Sequence, residues 1–294
     1  KDFITRSYAM RGYYTPYIPG WDNHGMPIES AIIKQNKLNH KAMPVSAFRS
    51  ACHEFAQHYI DVQMEGFKRL GVVADWEHPY KTMAPSFEAE EVKVFGAMYK
   101  KGYIYKGLKP VYWCYHDETA LAEAEIEYSD ETSPSIFVRF EMTSKPAGLE
   151  NFDGPVDFII WTTTPWTIPS DQAVSLKPGA AYVAVEHDGR AEVMLEDLAP
   201  KCCEEFGWEY TPVMVDGKPY VVPAETFHHI HYKQPIFDGV EGVALLADYV
   251  GVDDGTGIVH NSPGHGVDDY FACLKEGITD ICMPVDDDGK FYTG

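Results

Sequence analysis

Near residue 130 the chain changes its periodicity, and that change limits the architectures open to it. Before it, apolar residues recur three or four apart. Phe48, Cys52, Phe55, Tyr59, Val62 and Leu70 mark one face of a helix opened by Ser46 after Pro44. Asp2–Tyr13 also reads as helical. A further helix over Ser86–Lys101 has Glu88, Glu90 and Glu91 in its first turn and Lys100, Lys101 and Gly102 at its end, the order the helix dipole favours. Tyr103-Ile104-Tyr105 and Val111-Tyr112-Trp113 are expected as strands, so the first part should be an α/β layer. Beyond it come short strands at Ser135–Glu141, Asp157–Trp161, Ala180–Glu186, Glu192–Leu195, Tyr220–Val222 and Gly242–Tyr249, with one helix at Glu196–Phe206. His187-Asp188-Gly189 and Asp216-Gly217-Lys218 fall between alternating apolar runs, which is a hairpin signature. This part is expected to form a β-rich, barrel-like domain.

The charge changes at the same place. Residues 1–120 hold 15 Lys/Arg against 13 Asp/Glu, whereas residues 121–294 hold 9 against 32. Two domains are expected, 1–132 and 133–294. The acidic second domain is a poor general binder of phosphate, so polyanion contacts there must be local or come from elsewhere. No apolar run approaches the roughly 20 residues a membrane helix needs. Cys52, Cys114, Cys202, Cys203, Cys273 and Cys282 show no CxxC pair, which favours a reducing, cytoplasmic compartment. The first residues, Lys1-Asp2-Phe3-Ile4, have neither an initiator Met nor a signal-peptide core and read as the middle of a helix. The chain is therefore expected to be a piece of something longer.

Three stretches carry chemistry. In Gly255–Tyr270, GTGIVHNSPGHGVDDY, a Gly-Thr-Gly turn precedes a short apolar run ending on His260. Pro263, Gly264 and Gly266 then bracket His265, and Asp268 and Asp269 head a helical segment. In Trp161–Asp171, WTTTPWTIPSD, Thr162, Thr163 and Thr164 follow the buried-looking strand Phe158-Ile159-Ile160. Pro165 should stop that strand or place it at an edge. Around Trp21-Asp22-Asn23-His24, a Trp, a carboxylate and a histidine sit between Gly20 and Gly25, suiting either a pocket lip or a capped turn. The spacings among His260, His265, Asp268 and Asp269 match no common zinc signature. Neither a GxSxG elbow nor a Cys placed with a His is present. A carboxylate at a glycine-rich bend can anchor an ammonium by a charge-assisted hydrogen bond, and threonine hydroxyls can orient the rest. That combination suits an α-amino acid ester and an attacking water. A non-catalytic binding module that only holds such an ester and a metal-dependent hydrolase built on the two histidines and two acids stay open as alternatives.

Taken in order, GYYTPYIPGWDNHGMPIE, DWEHPYKTM, KGYIYKGLKPVYWC, ALAEAEIEY, WTTTPWTIP and GTGIVHNSPGHGVDDY resemble the isoleucyl-tRNA synthetases of class I over nearly the whole chain. WTTTPWT is the specific part, since the valyl and leucyl relatives have an arginine before the proline of this motif. The resemblance implies the first part of a Rossmann-type catalytic domain over 1–132, without the HIGH and KMSKS signatures, followed by most of an editing domain over 133–294. It implies a parent ligase, expected as a monomer, that uses ATP and Mg to join isoleucine to tRNA(Ile), and an editing site that hydrolyses misacylated Val-tRNA(Ile). A fragment of this kind can at most edit.

Residue by residue, the resemblance makes Asp22, beside Trp21, the carboxylate for the isoleucine ammonium. Thr162, Thr163, Thr164 and Thr167 are the editing threonines, His260 the group that excludes isoleucine, and Asp269 the grip on the misacylated ammonium. Asp171, His265 and Asp268 lie nearby. Two departures stand out: many relatives have Asn at Asp171, and Cys114-Tyr115-His116-Asp117 has Asp where many bacterial members have the second Cys of a zinc pair. No zinc is expected. A second site has a physical reason. A pocket for isoleucine cannot strongly reject valine, one methylene smaller, and this enzyme pair is the standard illustration of that limit. Asp269, paired with an ammonium, should keep a low pKa and position the substrate rather than act as a base.

Overall fold

The computed structural model describes residues 1–37 and 42–292. The chain divides into two compact units, Lys1–Lys106 and Gly107–Gly294.

The first unit is mainly helical: α1 (Asp2–Met10), α2 (Met26–Asn36), α3 (Val45–Arg69) and α4 (Pro85–Lys100), with β1 (Gly20–Trp21) and β2 (Tyr80–Lys81) as a short parallel pair. Glu88 in the first turn of α4 and Lys100 in its last obey the end charges read from sequence, and Pro85 opens the helix. Apolar spacing turns one face of α3 inward, where Ala56 and Ile60 meet Met83 with Trp21, Ile28 and Met64 around them. The Trp21 indole donates to Gln63 Oε1 at 2.8 Å. Tyr103–Tyr105, expected as a strand, joins no ladder. Its tyrosines are exposed, and an isolated strand has no partner for its backbone groups.

The second unit holds a two-residue-strand hairpin, β3 (Trp113–Cys114) with β4 (Thr119–Ala120), and two larger sheets. The five-stranded sheet is built from β5 (Ile136–Glu141), β6 (Val156–Thr162), β8 (Ala181–His187), β9 (Arg190–Leu195) and β12 (Val221–Pro223), in the order β12-β8-β9-β6-β5. The four-stranded sheet contains β7 (Ala173–Leu176), β13 (His231–Lys233), β14 (Glu241–Leu246) and β15 (Ile258–Asn261), in the order β13-β14-β7-β15. A small hairpin, β10 (Met214–Val215) with β11 (Lys218–Pro219), and the helices α5 (Ala199–Phe206) and α6 (Val267–Lys275) complete the unit. Both Asp-Gly turns form as read. Asp188 and Gly189 have φ of 48° and 75°, and Asp216 and Gly217 have 50° and 75°, the left-handed pair a two-residue hairpin loop requires.

The two sheets share one core, in which Phe140, Phe158, Tyr182, Phe227 and Tyr232 are fully buried. Phe140 and Tyr232 stack with ring centroids 5.1 Å apart. The expected barrel is corrected: among the described residues no sheet closes. Pro223 ends the β12 edge without a donor, and among the described residues the backbone beyond β5 is bridged to the other sheet at one isolated pair, Met142 to Tyr232. A closed barrel needs a continuous staggered ladder, which a single bridge does not supply.

Candidate functional site

The site is assembled at one end of the four-stranded sheet, and β7 decides its geometry. This strand pairs antiparallel with β15, setting Val174 against His260 and Ala173 against Asn261. β6 stops at Thr162, as Pro165 requires, but the rest of the threonine motif is no edge strand. It winds into a 3₁₀ helix over Pro165–Ser170 that delivers Asp171 to the start of β7. β6 itself lies inside its sheet, with β5 on one side and β9 on the other.

This path strings hydroxyls, an imidazole and a carboxylate together. Thr162 Oγ1 lies 3.2 Å from Thr164 Oγ1, which is 3.5 Å from Thr167 Oγ1. Thr167 Oγ1 meets His260 Nε2 at 2.8 Å although 93 residues separate them. His260 Nδ1 meets Asp171 Oδ1 at 3.1 Å. Tyr232 donates its hydroxyl to the other Asp171 oxygen. Thr167 Oγ1 also lies 2.9 Å from Thr164 O, so its single proton faces both that carbonyl and His260 Nε2. Burial pushes the Asp171 carboxyl up, while His260, Tyr232 and the Asn261 N–H pull it down. The Asp171 side chain is fully shielded from solvent beside His260. Thr163 is exposed and stands outside this string.

Asp269 reaches the same end from the first turn of α6. Its Oδ2 accepts the Ser262 N–H at 2.9 Å and its Oδ1 the Tyr249 hydroxyl at 3.5 Å. Asn261 Nδ2 donates to Tyr249 at 2.8 Å, so β15 supports this tyrosine as well as His260. Gly266 leaves room for this carboxylate, since a Cβ there would fall 2.7 Å from Asp269 Cγ and the side chain would have to shift. Burial raises the Asp269 carboxyl, against the Ser262 N–H and the nearby His260, which lower it. The low pKa expected from an ammonium partner is thus not supplied by the protein's own groups. A cation entering beside Asp269 would pull it down. His265 packs edge-on against Trp166 with centroids 4.9 Å apart, and burial, then His260, lowers its pKa. Asp268 is exposed. A cleft of about 670 Å³ opens at this end, lined among others by Trp113, Trp166, His265, Tyr270 and Met283.

Four residues of this wall carried no signal as site residues: Ser262, which also bonds Ser170 Oγ at 2.6 Å, Asn261, Tyr249 and Tyr232. Asn261 and Tyr232 are placed by strand pairing, and Ser262 and Tyr249 by the segments just beyond β15 and β14, which no local pattern encodes. In the first unit, Asp22 is exposed and takes a Thr82 hydroxyl at 3.4 Å, and Trp21 lies on β1. Cys114 and Asp117 face each other across the β3–β4 turn, with Sγ 3.7 Å from Oδ2.

The model of the tRNA synthetases of class I (I, L, M and V) matches residues 1–241. The chain belongs to this class I family. It is 45% identical over 298 residues to an isoleucine–tRNA ligase of Natranaerobius thermophilus, covering 99% of this chain and 31% of that one. An isoleucine–tRNA ligase 1 of Oceanobacillus iheyensis is 46% identical over 291 residues, with 99% and 31% covered. This class I chain therefore spans under a third of the length of the curated relatives it matches, and its motif resemblance to the isoleucyl branch agrees with their names. A solved editing domain of the P. falciparum cytosolic leucyl-tRNA synthetase is 18% identical with a TM-score of 0.36, covering 46% of this chain and 54% of that one. A likeness at that level leaves the synthetase chain's architecture to be argued from its own sheets. No helix among the described residues is long and apolar enough to cross a membrane.

Proposed function

We propose that the chain is part of an isoleucyl-tRNA synthetase and that its second unit hydrolyses valine wrongly esterified to tRNA(Ile). The observation that carries this reading is the convergence of the Thr167–His260–Asp171 string with Asp269 at one end of a sheet. The carboxylate of Asp269 grips the α-ammonium, and the hydroxyls of Thr162, Thr164 and Thr167, with Thr163 at the rim, orient the ester. Water adds to the ester carbonyl, the bond to the ribose oxygen breaks, and that oxygen takes the proton, giving valine and free tRNA. His260, fixed by Thr167 and Asp171, is too firmly held to move aside for the extra methylene of isoleucine. Asp171 is thus a positioning residue in this scheme. His265 and Trp166 wall the cleft, and Asp268 stands at its edge.

A metal-dependent hydrolase at the same residues loses support, because both His260 ring nitrogens already have partners. In the parent enzyme, which we read as cytoplasmic and monomeric, ATP and Mg would serve isoleucine activation, with Trp21 and Asp22 at the amino acid. The residues present contain neither the HIGH nor the KMSKS signature, so they do not make up the ATP site and no step runs through those cofactors. In functional terms the division stays at 132/133, with 1–132 the leading catalytic part and 133–294 the editing part. Residues 107–132 belong structurally to the second compact unit.

The test is single-turnover deacylation of Val-tRNA(Ile) and Ile-tRNA(Ile) at high concentration of the chain. Selective loss of valine is expected. Asp269→Ala should slow it by at least about 100-fold, the scale of a lost charge-assisted contact, and His260→Ala should admit Ile-tRNA. Unchanged valine release in Asp269→Ala would sink the assignment.

A further inference from the structure

At the opposite end of α6 from Asp269, two imidazoles and a carboxylate converge. His228 and His229 follow the 3₁₀ turn Ala224–Phe227, and Glu276 closes α6. His229 Nε2 is 3.1 Å from Glu276 Oε2, and His228 Nε2 is 3.6 Å from the same oxygen. All three ligand atoms lie within 4.8 Å of one another. We propose that His228, His229 and Glu276 bind a divalent transition ion of the zinc type.

The spacing is the first argument. A tetrahedral ion with bonds of about 2.0–2.1 Å places its ligand atoms roughly 3.3 Å apart, between the 3.1 and 3.6 Å that separate the two imidazole nitrogens from Glu276 Oε2. The second is an unsatisfied atom. His228 Nε2 is buried without a hydrogen-bond partner, since 3.6 Å is too long for one to Glu276. An imidazole nitrogen shielded from water and aimed at a second imidazole and a carboxylate gains most from a shared cation.

The backbone supports the arrangement. Neighbouring residues in an extended chain point to opposite sides, but His229 has φ of 66° and both rings reach Glu276. The His229 N–H donates to Ala244 O at 2.8 Å and anchors the pair to β14. The site also sits at the C-terminal end of a nine-residue helix, where the dipole favours a cation, in a strongly acidic part of the chain. Imidazole donors select zinc-like ions over calcium or magnesium, which prefer oxygen. Three protein ligands leave a fourth position for water. Because the helix that ends at Glu276 starts with Asp268 and Asp269, a bound ion would tie the Asp269 helix to the β13–β14 side of the sheet.

Binding, not deacylation, tests this, so its failure is separable from failure of the editing assignment. The full chain, stripped with a chelator, is titrated with Zn²⁺ against a chromogenic competitor. One equivalent should bind at least about tenfold more tightly than to His228→Asn/His229→Asn or Glu276→Gln, within the range that loss of ligands produces. Zn²⁺ at 100 times its Kd should raise the melting temperature by about 5 °C or more in the wild type alone. Equal affinity and stoichiometry in the double variant, or an equal rise with Mg²⁺, would overturn the site. If the double variant does not fold, His229→Asn, whose side chain is 62% exposed, decides through Co²⁺. Loss of the tetrahedral visible absorption supports the site, and its persistence refutes it.

Discussion

The two compact units use apolar residues in opposite ways. In the first, Ile32, Ala56, Ile60 and Met83 are the buried apolar side chains among the described residues, while Phe3, Tyr14, Leu70, Val73, Val92, Phe95 and Tyr105 are all more than half exposed. In the second, two sheets enclose a continuous aromatic and aliphatic core. Stability scales with apolar area removed from water, about 25 cal/mol per Å², so the second unit carries its own fold and the first has little with which to offset chain entropy. Helical periodicity in α3 and α4 is therefore a statement about local shape, whereas the site, which needs positions fixed to a fraction of an ångström, is built where the core is dense.

Hydrogen exchange should show the contrast most strongly. Amides of β6, β8 and β9 are expected to exchange at least about 1,000-fold more slowly than those of α1 and α4, since exchange tracks local opening. Similar protection in both units would break the comparison. Next in size, Phe158→Ala should cost about 3–5 kcal/mol in urea unfolding, the cavity cost of a fully buried ring. Phe95→Ala, on an exposed face of α4, should stay within about 0.5 kcal/mol.

A third measurement concerns a charge inside the dense unit. Glu192 is fully buried on β9, and its Oε1 accepts from Arg139 Nε at 2.7 Å. Burial, then the charge of Asp157, nevertheless raise it to about 7, outweighing Arg139. The folded state then binds more protons than the unfolded state above the ordinary 4.5. This contribution is fully present below about that pH and is lost as pH rises through about 7. Stability of the second unit should fall by about 1–3 kcal/mol over that window, and Glu192→Gln should flatten the curve. The smallest effect belongs to the first unit. The Arg6–Asp2 pair is solvent-exposed, so Asp2→Asn should change stability by less than about 0.5 kcal/mol and be insensitive to added salt beyond that.

Much of the fold was legible in the sequence wherever a local rule sufficed. The helix over Ser46–Leu70 is α3 to within a residue at each end, and Ser86–Lys101 is α4 likewise, because apolar spacing and end charges act within a few turns. Both Asp-Gly hairpins formed where left-handed φ is needed. Pro165 stopped its strand. The barrel was misread because strand count and turn spacing do not say whether edges meet. β7 went unread altogether, since Ala-Val-Ser-Leu is too short and plain to announce a central strand.

The motifs by themselves determined family membership and named the residue types an ester-cleaving amino-acid site needs. Only the tertiary structure decided which of them lie together. Register in the β7–β15 pair puts His260 within reach of Thr167 and Asp171, with the Asp171 carboxylate against the imidazole Nδ1. The His228–His229–Glu276 cluster is likewise invisible in a sequence where His229 and Glu276 stand 47 residues apart. Turns and helix ends are written in neighbouring residues, because backbone sterics act over a few bonds. The convergence of side chains depends on strand pairing and on the core that locks it, and those are properties of the whole unit.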